Sequence, residues 1–125
     1  MIILDASALL AYLHKETGWE VVQRALADTC IGTVNWSEVA QKISQKGMDV
    51  EVIRGLLEEL GVTIEPFSVE QAEFAARLWE KSRPYGLSLA DRACLALAMQ
   101  RELPVITADR AWSELELNIE IQLIR

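Results

Sequence analysis

The sequence predicts a three-layer α/β domain built around a five-stranded parallel sheet. Short aliphatic segments alternate with longer segments whose apolar residues recur at helical spacing, which is the pattern of strands joined by crossover helices. Hydrophobic residues make up 51% of the 125 residues and charged residues 25%, a composition typical of a globular domain. We therefore expect a single domain over residues 1–125.

Five segments are predicted as strands because they are short, rich in aliphatic and β-branched residues, and bounded by turn or helix-start residues. They cover residues 2–4, 30–34, 62–65, 104–107 and 119–124. Asp5 ends the first strand, and Pro66 stops the third because proline cannot donate a hydrogen bond to a neighbouring strand.

The segments between the strands carry helical patterns with recognisable start signals. Helices are predicted to begin near residues 6, 19, 35, 50, 69 and 89, and a helical turn to cover residues 109–115. Asp49, Ser68 and Ser88 are residue types that cap helix N-termini. The segment from Arg83 to Gly86 holds a proline and a glycine and is predicted as a loop.

Charge and hydropathy exclude several classes of protein. The longest apolar runs are far shorter than the ~20 residues needed to cross a bilayer, and no basic leader precedes the first strand, so we expect a cytoplasmic protein. A net charge of -7 argues against broad adhesion to nucleic acid and favours a basic partner. Cys30 and Cys94 lack metal-binding spacing and are predicted to be buried thiols.

Four acidic residues, Asp5, Glu38, Asp91 and Asp109, each stand where a predicted strand has just ended or a helix is just beginning. Strand C-termini and helix N-termini gather at one edge of a parallel α/β sheet, so these side chains could meet there. Each also has a simpler explanation, because acids cap helices and favour the positive end of the helix dipole. Asp91 follows no strand, so spacing alone supports it least. From the residues themselves, capping and a shared site both stay open.

Carboxylates that converge need protons or a cation between them. Two such charges ~5 Å apart repel by roughly 3 kcal/mol at an effective dielectric of about 20. Oxygen ligands without a nearby histidine or cysteine favour magnesium or manganese over zinc. Magnesium bridges phosphate oxygens and lowers the pKa of bound water, which suits phosphodiester hydrolysis by water. Ser7 and Thr107 stand two residues from Asp5 and Asp109 and could orient the carboxylates.

Other reactive and aromatic residues are predicted to be structural. His14 is the only histidine and no serine or cysteine lies in an elbow motif, so a nucleophilic triad has little support. The tryptophans are predicted to pack in the core or an interface rather than to stack on bases. They are Trp19, Trp36, Trp79 and Trp112.

The acidic residues stand in four segments that resemble the motifs of PIN-domain ribonucleases, specifically the VapC-type toxins. The segments are Ile3-Leu4-Asp5-Ala6-Ser7, Asn35-Trp36-Ser37-Glu38-Val39, Leu87-Ser88-Leu89-Ala90-Asp91 and Ile106-Thr107-Ala108-Asp109. The resemblance spans the whole chain in length, order and spacing. It implies a PIN-like α/β/α fold.

The resemblance also implies a magnesium-dependent endoribonuclease that cuts RNA, often a tRNA or a ribosomal RNA loop. In that family the residues matching Asp5 and Asp91 are the main metal ligands. The residue matching Asp109 completes the cluster, and the one matching Glu38 assists directly or through water. Thr107 matches a position that is commonly polar.

Partners are implied in the same way. Toxins of this family are held inactive by a VapB-type antitoxin whose C-terminal segment wraps the toxin, and they typically form homodimers. The helices between Asn35 and Gly61 and those around Trp79 are the candidate dimer surfaces. A basic rim for RNA is predicted from position alone. Its candidates are Lys42, Arg83, Arg92 and Arg110.

Two other functions remain open. A phosphoacceptor receiver module is also acidic, similar in length and built on a five-stranded parallel sheet. It predicts an acidic pair after the first strand and an acceptor aspartate after the third, where this chain has Asp5 alone and Glu65-Pro66. A PIN-like scaffold used only for binding is the second alternative, and the four intact acids argue against it.

Overall fold

A computed structural model describes residues 1–125 and contains five strands and seven α-helices. The strands are β1 (Ile2–Leu4), β2 (Thr29–Gly32), β3 (Val62–Glu65), β4 (Val105–Thr107) and β5 (Ile121–Leu123). The α-helices are α1 (Ala6–His14), α2 (Trp19–Ala25), α3 (Thr33–Gln45), α4 (Val50–Glu59), α5 (Val69–Arg77), α6 (Trp79–Ser82) and α7 (Leu89–Arg101). Short 3-10 helices cover Leu26–Asp28, Arg83–Tyr85 and Arg110–Glu114.

All five strands are parallel, in the order β3-β2-β1-β4-β5, which places β1 at the centre. The predicted five-stranded parallel sheet is thereby confirmed. Receiver modules have the order 2-1-3-4-5, in which the third strand lies beside the first. Here β3 lies at the edge beside β2, so the chain does not have the receiver topology.

Helices cover both faces of the sheet. Successive strand residues point to opposite faces, and in this sheet apolar residues point to both of them. Ile3, Cys30 and Val105 belong to the core that packs against α5 and α7. Leu4 and Ile106, each the next residue along its strand, belong to the core on the other side, with α1, α2 and α4. The sheet is the middle of three layers, as predicted.

The boundary between β2 and α3 differs from the prediction. β2 ends at Gly32, and α3 begins at Thr33 rather than at Asn35. Thr33 and Val34 are β-branched and favour strands locally, but such a preference yields to tertiary packing. Asn35 is therefore inside the first turn of α3 and does not cap it, so the prediction that this helix begins at Asn35 was wrong.

One helical prediction also needed correction. The segment after Ser68 was predicted as a single helix through Leu78 and Trp79, but it divides at Leu78 into α5 and α6. The apolar residues of α4 do not all face the core, since Leu57 is buried whereas Val52 and Leu56 are more than half exposed. The predicted caps at Asp49, Ser68 and Ser88 are confirmed, because each side chain accepts a hydrogen bond from a backbone amide of its helix. None of the helices has the length and apolar character of a membrane-spanning segment.

Candidate active site

Asp5 lies at the carboxyl end of the central strand β1 and is almost completely buried, with 4% of its surface exposed. It caps α1, since its Oδ1 accepts hydrogen bonds from the Ala8 amide at 2.9 Å and the Ser7 hydroxyl at 2.7 Å. Its Oδ2 accepts a hydrogen bond from Thr107 Oγ1 at 2.6 Å. Both carboxylate oxygens are thus oriented by neighbours from the ends of β1 and β4.

The pKa of Asp5 is raised from 3.8 to about 6. Burial is the largest cause, because it disfavours the charged form. The hydrogen bonds from Thr107, Ala8 and Ser7 oppose the rise in pKa, and the negative charge of Asp91 adds to it. An ionised Asp5 is therefore held at an energetic cost that a nearby cation would offset.

Thr107 and Ser7 connect this carboxylate to the end of β4. The Thr107 hydroxyl accepts a hydrogen bond from the Asp109 amide at 3.0 Å, and the Ser7 hydroxyl accepts one from the Ala108 amide at 2.9 Å. The two hydroxyls are 3.3 Å apart. Both side chains predicted to support the site thus contact Asp5, and Asp109 is joined to Asp5 through Thr107.

Asp91 lies in the first turn of α7 and forms a capping box with Ser88. Its Oδ2 accepts a hydrogen bond from the Ser88 amide at 2.9 Å, while its own amide donates to Ser88 Oγ at 3.1 Å. The Asn35 side chain hydrogen-bonds the backbone of Ala6 and of Ala90, so Asp91 lies on the same side of the molecule as Asp5. The charge of Asp91 contributes to the raised pKa of Asp5 and of Glu38. Capping and membership of the acidic site coexist in this residue.

Glu38 projects from α3 and is exposed to solvent. Its pKa is raised, first by partial burial and second by the charge of Asp91, whereas Lys42 one turn later lowers it. Asp109 caps the 3-10 helix that follows β4, with its Oδ1 accepting from the Ala111 amide at 3.0 Å. The charge of Asp91 thus acts on both Asp5 and Glu38, and Asp109 is joined to Asp5 through Thr107.

The carboxylate oxygens of these acids are ligands that a hard divalent cation such as Mg²⁺ prefers, but they do not form a preorganised metal site. No three histidine, cysteine, aspartate or glutamate side chains are arranged so as to hold a metal ion. Magnesium is commonly bound by only one or two carboxylates, with water and substrate phosphates as its other ligands. Asp5 and Asp91 would supply such a carboxylate pair, and a cation beside Asp5 would offset the burial that is the main cause of its raised pKa.

The four acids lie outside the three cavities of the protein. Asp5 is buried, Asp91 and Asp109 are partly exposed, and Glu38 is exposed. Sites for small molecules are usually concave and enclosing. The accessible part of this acidic edge suits a polymer whose backbone can lie across it.

Sequence reasoning missed the role of Asn35 at this site. Its side chain is 2% exposed, and it hydrogen-bonds the backbone of Ala6 and of Ala90 at 3.0 Å each. The available signal was its position one and two turns before the buried Val39 and Ile43, which puts a polar residue on the apolar face of α3.

The predicted basic rim is only partly supported by the structure. Arg92 is half-buried and its Nη1 donates to the Ala75 carbonyl at 2.9 Å, so it ties α7 to α5 instead of facing solvent freely. Arg83 lies over the ring of Trp79 at 5.0 Å, and Trp79 is 46% exposed rather than packed in the core. Arg110 is exposed next to Asp109, and Lys42 lies near Glu38.

The sequence matches the PIN domain family over residues 2–117. The chain belongs to the PIN domain family. The family resemblance carried by the four acidic segments is thus confirmed. No curated protein matches this PIN domain in sequence.

Solved structures share the fold of this PIN domain at low sequence identity. A toxin-antitoxin complex from Klebsiella pneumoniae has a TM-score of 0.76 and 19% identity, covering 93% of each chain. A DNA-bound VapBC from Salmonella typhimurium has a TM-score of 0.73 and 16% identity over 99% of this chain and 98% of that one. VapC20 from Mycobacterium tuberculosis, a toxin that cleaves the sarcin-ricin loop, has a TM-score of 0.71 and 13% identity over 90% and 93%. At these identities the likeness establishes the fold.

Proposed function

We propose that this PIN domain is a magnesium-dependent endoribonuclease and the toxin of a VapC-type toxin-antitoxin pair. Asp5, Asp91 and Glu38 come from three separate segments of the chain. The Asn35 side chain, on the same helix as Glu38, hydrogen-bonds the residues next to Asp5 and Asp91, and this convergence is the main support for the proposal. Helix capping alone does not require acids at the starts of α1 and α7 to lie at the same edge of the sheet. Manganese, with the same preference for oxygen ligands, is the expected substitute.

Each acid has a defined part in this mechanism. Asp5 and Asp91 would hold the cation, and Asp109 would complete the set of oxygen ligands. Bound magnesium supplies Lewis-acid stabilisation of the phosphate and lowers the pKa of the attacking water. Thr107 and Ser7 fix the Asp5 carboxylate by hydrogen bonds of 2.6 and 2.7 Å, and Glu38 orients water at the rim.

The substrate class follows from the shape and charge of the site. An open acidic edge accommodates an extended phosphodiester, and Arg83, Arg110 and Lys42 supply local positive charge for RNA phosphates on a chain whose net charge is -7. A similar fold belongs to a toxin that cleaves the sarcin-ricin loop. We infer a tRNA or ribosomal RNA substrate, which places the enzyme in the cytoplasm.

A VapB-type antitoxin is the proposed protein partner. Solved structures of this fold include several toxin-antitoxin complexes. The net charge of -7 suits a basic antitoxin segment laid across the acidic edge. Such a segment would occupy the same carboxylates as the cation and so inhibit the enzyme.

A homodimer is proposed as well, through the exposed apolar stripe of α4. The α4 stripe comprises Val52 and Leu56 within α4 and Met48 and Leu60 just beyond its two ends, each at least half exposed. Contiguous exposed apolar surface of this kind marks protein interfaces more often than free surface.

The proposal is tested by incubating purified protein with defined tRNA and ribosomal RNA fragments, with magnesium and with excess chelator. We expect discrete cuts that require the cation and fall by at least about 100-fold in Asp91→Asn, as for the loss of a charge that acts in the transition state. Asp49→Asn is the matched control, since Asp49 caps α4 and Asn also caps. Cleavage that survives both chelation and Asp91→Asn would refute the mechanism, and folded protein that cuts no RNA would favour the binding scaffold.

A further inference from the structure

Asn35 carries a buried side-chain amide that connects the backbone segments next to Asp5 and Asp91. Its Oδ1 accepts a hydrogen bond from the Ala6 amide at 3.0 Å, and its Nδ2 donates to the Ala90 carbonyl at 3.0 Å. Ala6 directly follows Asp5, and Ala90 directly precedes Asp91. One side chain thus ties together the backbone beside two acids that are 86 positions apart in sequence.

The same residue belongs to the helix that carries the third acid. Asn35 stands on α3 one turn before Glu38, and its side chain is 2% exposed. The Ala6 amide is the first of α1 and has no partner within its own helix, so Asn35 satisfies a group that would otherwise be buried and unpaired. A short amide that uses both its donor and its acceptor allows little relative movement of α1, α3 and α7.

We propose that Asn35 is a positioning residue that sets the spacing of Asp5, Asp91 and Glu38 and thereby the affinity of the site for a divalent cation. This inference rests on the proposed function for its consequence, because the cation is part of that proposal. The positioning itself concerns the metal-free protein. Residues that orient ligands from behind commonly change metal affinity by about 10-fold to 100-fold.

Two substitutions separate positioning from charge. Asn35→Asp keeps an acceptor for the Ala6 amide but places an oxygen against the Ala90 carbonyl, and it adds a negative charge behind the site. Charge alone would tighten cation binding, whereas misplacement of Asp91 would weaken it. Asn35→Ala removes both hydrogen bonds without changing charge, and positioning predicts weaker binding there too.

Thr29→Val is the matched control for lost stability. Thr29 is completely buried and its hydroxyl donates to the Leu26 carbonyl at 3.0 Å, at the start of β2 and away from the acids. Its replacement removes a buried hydrogen bond of the same kind. General destabilisation would act in this variant as well, but misplacement of the acids would not.

The experiment combines two readouts on folded protein. Backbone NMR of the metal-free variants measures the chemical shifts of Asp5 and Asp91 and the hydrogen exchange of the Ala6 amide. Calorimetric titration with Mn²⁺ measures affinity. We expect shifted resonances at both acids, faster exchange at Ala6 and affinity at least about 10-fold weaker in both Asn35 variants, with Thr29→Val unchanged in each.

The outcomes separate this inference from the proposed function. If both acids keep their wild-type resonances in the Asn35 variants, or if Asn35→Asp binds Mn²⁺ as tightly as wild type, positioning by Asn35 is overturned. If the wild-type protein binds no Mn²⁺, the proposed function fails and the NMR arm alone decides the positioning. A loss of affinity equal to that in Thr29→Val would reduce Asn35 to an ordinary buried polar residue.

Discussion

At the scale of single residues, Asp5 is a buried carboxylate whose pKa is raised mainly by burial, so its ionised form lowers the stability of the fold. Its place after β1 could be predicted from sequence, because a polar residue follows an aliphatic strand and precedes helix formers. Its burial could not, since the Thr107 hydroxyl that encloses it comes from a strand 102 residues away. The same holds for Asn35, whose partners lie on two other elements. Local pattern finds such residues but not their contacts.

Asp5→Asn is predicted to stabilise the metal-free protein at neutral pH. The rise in the pKa of Asp5 to about 6 means that the folded state binds its proton more tightly than the unfolded state does. The tighter proton binding stabilises the folded state fully below pH 3.8, and this stabilisation is lost as the pH rises through about 6. Ionisation of Asp5 thus lowers the free energy of unfolding by about 3 kcal/mol. Urea unfolding in chelator should give a gain of about 1 to 3 kcal/mol at pH 7.5 that shrinks at pH 4.5.

The same substitution should abolish stabilisation by magnesium, because a neutral amide gains little from the cation. Wild-type protein should become more stable as magnesium is added, in proportion to the logarithm of its concentration above the dissociation constant. A variant that is less stable than wild type at both pH values would show that burial of Asp5 carries no such cost.

Cation affinity is predicted to fall on the acid side of neutrality. A metal binds the ionised carboxylate, so protons compete with it below the pKa of about 6 of Asp5. Titration of Mn²⁺ followed by electron paramagnetic resonance should show affinity that is nearly constant from pH 7.5 to 6.5 and falls by up to about 10-fold per pH unit below 6. Circular dichroism at each pH confirms that the protein is folded. Constant affinity down to pH 5 would remove Asp5 from the ligand set.

At the scale of elements, local signals account for the helix starts and tertiary packing for the exceptions. Asp49, Ser68 and Ser88 cap the helices that they were predicted to cap, since capping depends on residues within one turn. The start of α3 was predicted two residues late, because the β-branched Thr33 and Val34 extend the apparent strand. The difference moved Asn35 from the helix end into the buried first turn.

Ser88→Ala and Ser68→Ala form a matched pair that isolates the role of the α7 cap. Each serine accepts a hydrogen bond from the amide three residues later, at 3.1 Å and 3.0 Å, so each substitution should cost about 1 kcal/mol in chemical unfolding. Only Ser88 adjoins Asp91, whose orientation depends on the capping box. RNA cleavage should fall several-fold in Ser88→Ala and stay at the wild-type rate in Ser68→Ala. Equal cleavage rates in the two variants would show that the Ser88 cap does not contribute to RNA cleavage.

At the scale of the whole molecule, the fold class and strand number followed from alternation of strands and helices, but the strand order did not. Sequence leaves open which strands are neighbours, and the order β3-β2-β1-β4-β5 is what excludes the receiver alternative. Sequence predicted the helices between Asn35 and Gly61 as a candidate dimer surface, but it did not show which apolar residues of α4 are buried and which are exposed. Helical spacing alone does not distinguish an apolar helix face that packs on the sheet from one that is exposed on the protein surface.

Leu56→Asp is predicted to convert the proposed homodimer to a monomer. Leu56 lies in the middle of the α4 stripe and is 52% exposed, so a charge there should disrupt association without disturbing the core. Light scattering after size-exclusion chromatography gives the mass directly. Leu57→Asp is unsuitable because Leu57 is buried, and Glu59→Asp, a conservative change on the exposed surface of α4, is the matched control. An unchanged mass in Leu56→Asp would place any interface elsewhere.

The proposed mechanism requires acids from separate elements to share a divalent cation at the carboxyl edge of the sheet. The most direct measurement is the anomalous scattering of manganese in crystals of the wild-type protein grown with Mn²⁺. We predict a peak within coordinating distance of both Asp5 and Asp91, which is absent in Asp91→Asn. A fully occupied manganese site elsewhere on the chain, with none at these two carboxylates, would contradict the claim.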